Sequence, residues 1–128
     1  MFGSEDRDWT EIKKQLDVHL NRLYVKGTTL AEPNTLSNEL VVISSLKVNL
    51  AILSAELINA ADRQKAKVYF DILARANVSR AKEECRLDGY YLDLKLKSEQ
   101  VAAYLKEVSS LVSTVQTYLR WKGQEVNL

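Results

Sequence analysis

Residues 80–121 read RAKEECRLDGYYLDLKLKSEQVAAYLKEVSSLVSTVQTYLRW, and within them Leu87, Leu94, Val101, Val108 and Val115 recur every seven residues. Tyr90, Tyr104, Leu111 and Tyr118 follow members of that series by three positions, and Tyr91, Leu105, Val112 and Leu119 follow by four. A heptad sustained this long specifies one apolar seam on a helix and a left-handed, coiled-coil-like contact with a neighbour. It predicts a long helix over 80–122. Lys97 and Ser98 interrupt the seam, and Gly89 costs about 1 kcal/mol relative to alanine inside a helix, which marks a kink or a close contact there.

Upstream of this helix, Asn77 tolerates the left-handed conformation that ends helices and Ser79 is suited to cap the next one, so 76–79 reads as a tight turn between two helices. The preceding helix is expected over 35–75, with Leu36, Leu40, Ile43, Leu46, Leu50, Leu53 and Leu57 as its first stripe and Ala60, Ala61, Gln64, Val68 and Ile72 as a thinner continuation. A loop is expected over 27–34, where Gly27 stops a helix and Pro33 disfavours helix before it. The first helix is expected over 4–26, with Ser4 as N-cap, Glu5, Asp6 and Asp8 in its first turn, and Trp9, Ile12, Leu16, His19, Leu20 and Leu23 on one face.

These elements make a single all-α domain over 1–128, a long antiparallel helical hairpin with a shorter N-terminal helix. Only 4 glycines and 1 proline in 128 residues fit a chain with few turns. Two helices of about 40 residues span roughly 60 Å each, and such a rod cannot hide every apolar stripe by itself. A homo-oligomer is therefore expected, with Leu94, Val101, Tyr104, Leu105, Val108, Leu111, Val112, Val115 and Tyr118 as its interface.

Composition narrows the function. One cysteine, Cys85, excludes an internal disulfide and fits a reducing compartment. No apolar h-region opens the chain, and Glu39, Lys47, Asn49 and Glu56 interrupt its most apolar stretch, so neither a signal peptide nor a membrane span is expected and the cytoplasm is the expected location. One histidine, His19, on an apolar stripe reads as a packing residue, and with one cysteine it leaves no ordinary zinc site. No glycine-rich phosphate loop is present. Glu84 and Asp88 share a helix face near Glu83, the kind of pair that holds Mg²⁺ in helical pyrophosphohydrolases, but Glu39, Glu56, Asp62 and Asp71 offer no second pair at helical spacing. No enzyme, cofactor or metal site is expected.

Basic residues are the remaining candidates. The charge balance moves from −2 over residues 1–61 to +3 over 62–128. Arg63, Lys65, Lys67, Arg75, Arg80, Lys82 and Arg86 gather around the predicted turn, close to Tyr69, Phe70, Tyr90 and Tyr91. Cations neutralise phosphates and aromatic faces stack on unpaired bases, so the cluster is a candidate single-stranded DNA site. Interleaved Asp62, Asp71, Glu83, Glu84 and Asp88 favour the competing reading of a solvated, ion-paired surface.

The stretch Lys65-Ala-Lys-Val-Tyr-Phe-Asp-Ile-Leu-Ala-Arg75, then Val78-Ser-Arg-Ala-Lys-Glu-Glu84, then the heptads through Ser113-Thr-Val-Gln-Thr-Tyr-Leu-Arg120, resembles the small helical-hairpin proteins of phage recombination, the UvsY-like recombination mediators. The resemblance spans roughly residues 36–122 and consists of residue types rather than invariant positions. It implies a ring-forming, non-enzymatic protein of the host cytoplasm that binds single-stranded DNA and assists a recombinase. The N-terminal helix with Trp9 and the near-neutral charge depart from that pattern. A phage assembly or chaperone module that binds only protein is the alternative, and a Mg²⁺-dependent nucleotide pyrophosphohydrolase is a third.

Overall fold

A computed structural model describes residues 2–123, with side chains from Trp9 onward. Among the described residues 83% are helical, in four helices accompanied by one small two-stranded sheet. Helix α1 spans Phe2–Asn21, strands β1 and β2 span Tyr24–Lys26 and Thr29–Leu30, and helices α2, α3 and α4 span Pro33–Leu73, Val78–Cys85 and Gly89–Trp121. The expected cap Ser4 and the first-turn acids Glu5, Asp6 and Asp8 have side chains outside the described set. Two compact units share these elements. The first takes the chain up to Ala51 together with the part from Ala103 onward, and the second is Ile52–Ala102.

In the first unit, Leu16 and Leu23 are fully buried with Leu36, Leu40, Ile43, Leu50, Val115 and Leu119. Polar ties hold α1 in place. The Tyr104 hydroxyl donates to Asp17 Oδ1 at 2.5 Å, and Trp9 meets the Tyr104 ring edge-on at 5.6 Å. Lys13 bonds Asp17 at 2.9 Å and lies 5.2 Å from the centre of the Tyr104 ring. On α2, Glu39 pairs with His19 Nδ1 at 2.6 Å and lies 3.8 Å from Arg22 Nη1. His19 is thus a hydrogen-bonding residue at the edge of the apolar stripe.

The first helix ends before Lys26. Leu23 N–H turns back to Leu20 C=O at 3.2 Å, and the β-favouring run Tyr24-Val25-Lys26 pairs antiparallel with Thr29-Leu30. Gly27, expected as a helix stop, occupies the hairpin turn at φ +58°, in the left-handed region that glycine enters without steric cost. Pro33, expected in a loop, is the first residue of α2. A first helical position needs no N–H bond, and proline supplies the helical φ in advance.

In the second unit, Leu53, Leu57, Ile72, Ala81, Cys85, Tyr91, Leu94 and Val101 are buried. The helix expected over 80–122 is broken at Arg86-Leu87-Asp88. Leu87 N–H closes a tight turn on Glu84 C=O at 3.0 Å. Asp88 Oδ2 then accepts from the Tyr91 N–H at 2.9 Å, capping α4 three residues in, and from Gln64 Nε2 on α2 at 3.0 Å. The break moves Leu87 off the seam, where it is 68% exposed, while Tyr91 and Leu94 are buried. At the other end of α3 the cap is Asn77 rather than Ser79. Asn77 has extended backbone and its Oδ1 accepts from the Arg80 N–H at 2.8 Å.

Of the nine residues expected at an oligomer interface, five are core of a single chain. Leu94, Val101, Val108, Val112 and Val115 are buried within one chain, and Tyr104, Leu105, Leu111 and Tyr118 are half-buried. These buried seam residues belong to the core of a single chain, Leu94 and Val101 in the second unit and Val108, Val112 and Val115 in the first. Exposed apolar side chains occur on α2, as Val41, Val42 and Val48 in the first unit and Ile52 and Ile58 in the second, and on α4 as Leu92 and Leu96. By length and composition α2 is apolar enough to cross a bilayer, and 28% of its apolar stretch is buried.

Two measurements check this account. Asn77→Ala should cost about 1 kcal/mol in urea unfolding while Ser79→Ala stays within about 0.5 kcal/mol, because only Asn77 satisfies a helix donor. The second is a pH profile. Burial raises the Asp17 carboxyl, but the Tyr104 hydroxyl and Lys13 outweigh it and leave the group below its ordinary 3.8. Burial, then the bond to and charge of Asp17, push the Tyr104 hydroxyl above its ordinary 10.0. The depressed carboxyl stabilises the fold above pH 3.8 and loses that contribution on acidification. The raised hydroxyl stabilises it below pH 10.0 and loses its contribution on further alkalisation. Tyr104→Phe should flatten both limbs of a melting-temperature profile, and unchanged limbs would refute the pairing.

Candidate nucleic-acid interface

The second unit contains a groove of about 580 Å³ lined by Asp62, Lys65, Ala66, Tyr69 and Phe70 of α2 and by Lys82, Cys85 and Arg86 around α3. Helical spacing explains the lining. On α2, positions 62, 66, 69 and 70 share a face, and on the other wall 82, 85 and 86 share one. Volumes of this size are typical of sites that hold a small molecule or part of a polymer.

The groove is apolar at its base and cationic at its edge. Cys85 is buried, with Sγ 3.5 Å from Lys82 C=O. Tyr69 and Phe70 meet edge-to-face at 5.3 Å and 83°, and Phe70 is 64% exposed. An exposed phenylalanine beside a half-buried tyrosine offers an open aromatic face without the cost of rearranging the core. Lys65 Nζ lies 5.6 Å from the centre of the buried Tyr91 ring, and Arg86 Nε donates to Lys82 C=O at 3.2 Å. That bond uses one guanidinium nitrogen and leaves the terminal pair outside it.

Of the seven basic candidates, Lys65, Lys82 and Arg86 come together in the groove, whereas Arg63, Lys67, Arg75 and Arg80 do not line it. Arg80 is engaged with Glu84 at 2.7 Å. Among the expected stacking residues, Tyr69 and Phe70 line the groove, Tyr91 is buried beneath Lys65, and Tyr90 lies outside the lining. The carboxylates weighed as a Mg²⁺ pair have other partners, Glu84 in the Arg80 ion pair and Asp88 in the α4 cap. No group of three metal-ligating side chains occurs among the described residues.

Two features were missed by reading residue types alone. Asp62, counted among neutralising acids, is part of the groove wall. Asp88-Gly89 followed by Tyr91 is a helix-start pattern that could have announced the break, but the heptad continuing across it hid the signal. A second aromatic cluster closes α4. Trp121 is 78% exposed beside Tyr118, and Lys122 Nζ lies 5.3 Å and 5.7 Å from their respective ring centres. Compared with models of protein families, with curated proteins and with solved structures, the chain matches none of them.

Proposed function

We propose that this chain is a non-enzymatic helical module that binds single-stranded DNA through the groove of its second unit. The observation that supports the reading is the meeting of Lys65, Lys82 and Arg86 with the exposed ring of Phe70 in one groove. Single strands are held by cations that follow the phosphates and by aromatic faces that take the bases, and stacking contributes about 1–3 kcal/mol per base. A duplex hides its base faces, so the exposed aromatic favours the single strand.

In this proposal α2 packs against α3 and α4 as an antiparallel hairpin, and the chain self-associates. Support for self-association comes from the exposed valines and isoleucines of α2, since the heptad seam is already occupied within the chain. The same residues favour a second reading, a protein-binding module that uses α2 to hold a different partner. A role beside a recombinase rests on the family resemblance alone.

Fluorescence anisotropy with a labelled thymidine oligonucleotide tests the DNA reading. Three phosphate contacts give a log–log salt slope of about −2, so affinity should fall roughly tenfold to twentyfold between about 50 and 200 mM salt. Lys82→Glu with Arg86→Glu should reduce binding to background, and Phe70→Ala should weaken it at least about fivefold. No binding at about 50 mM salt would refute the reading. Light scattering should give a mass that is a multiple of 14.6 kDa, and a monomer at micromolar concentration would remove self-association from it.

A further inference from the structure

The groove lining follows a fixed order along α2, with Asp62 one turn before Ala66 and Ala66 one turn before Phe70. Eight residues separate the carboxylate from the exposed ring, a rise of about 12 Å. Asp62 and Phe70 both line the groove, with the small Ala66 between them along that wall. Lys82 and Arg86 form the other wall. Despite these cations, no ion pair or hydrogen bond engages Asp62 among the described residues.

An ionised carboxylate only accepts hydrogen bonds, and its two oxygens take two parallel donors. Among the four bases only guanine presents two adjacent donors on its Watson–Crick edge, the N1–H and the N2 amino group. Adenine and cytosine pair one amino donor with a ring-nitrogen acceptor, and thymine flanks one N–H with two carbonyls. Those acceptors would face the carboxylate and be repelled by it. Unpaired bases are commonly read on this edge while stacked on an aromatic ring.

We propose that the groove is a guanine-selective base pocket. The base stacks on Phe70 above Ala66, N1–H and N2–H donate to the Asp62 oxygens, and the adjoining phosphate meets Lys82 and Arg86. This selectivity rests on the single-strand reading above and adds a base preference to it. Without Asp62 the remaining lining offers cations and rings that accept any base.

The experiment titrates the full chain at about 50 mM salt with labelled thymidine oligomers. Isolated internal positions hold guanine, hypoxanthine or adenine, spaced so that guanines cannot associate. The guanine oligomer should bind at least about fivefold more tightly than the all-thymidine one, as a bidentate contact requires. Hypoxanthine keeps N1–H but lacks the amino group, and should lose most of that advantage. Asp62→Asn should abolish the guanine preference while holding or raising affinity for the all-thymidine oligomer, because a negative charge beside phosphate is removed. Equal affinity for guanine and thymidine oligomers, or a preference that survives Asp62→Asn, overturns the proposal with single-strand binding intact. Failure to bind any oligomer overturns the single-strand reading itself, and the base pocket with it.

Discussion

The carboxylate of Asp88 is the constraint on which the arrangement of the second unit depends. It satisfies the Tyr91 N–H at the start of α4 and accepts from Gln64 on α2 with the same oxygen. A helix start needs such an acceptor because its first N–H groups have no partner within the helix. With that need met at residue 88, the chain can leave one helix at Cys85 and begin another at Gly89. A continuous helix through these residues would have kept Leu87 in phase with Leu94. The break changes the phase instead, buries Tyr91, and makes α3 a separate wall on which Lys82, Cys85 and Arg86 share one side of the groove.

The first unit solves a different problem. Long amphipathic helices need apolar cover, and Leu16 of α1 and Leu23 in the turn that follows it supply part of that cover. Its hold is directional because Asp17 and His19 make specific bonds to Tyr104 and Glu39. Apolar burial contributes most of the stabilisation, while these bonds select one docking register over neighbouring ones.

The helical character was legible in the sequence because periodicity encodes burial directly. Leu36, Leu40, Leu50, Leu53 and Leu57 on α2 and the seven-residue series from Leu94 to Val115 became core as their spacing implies, while Leu46 is only half-buried. What the pattern could not encode was whose surface completes that core, since a heptad is satisfied equally by a second copy or by the same chain. Local competition also hid some features. The Tyr24–Leu30 hairpin lies at the end of a helical stripe, and its short strands leave too little alternation to outweigh it. Three of the basic candidates met in one groove because position 65 on α2 and positions 82 and 86 around α3 are brought to facing walls by the fold. The others share the composition and lack the geometry. Asp62 was read as a charge to be cancelled, and only its place on the wall makes it a potential ligand.

The chain's two tryptophans occupy contrasting surroundings. Trp9 rests edge-on against Tyr104, while Trp121 stands largely in water at the end of α4. Near-ultraviolet emission from the native protein is therefore a mixture of two signals, separable by a soluble quencher such as iodide that reaches the exposed indole first. The shielded fraction reports whether α1 remains seated, giving a label-free optical readout of that docking without introducing a foreign dye.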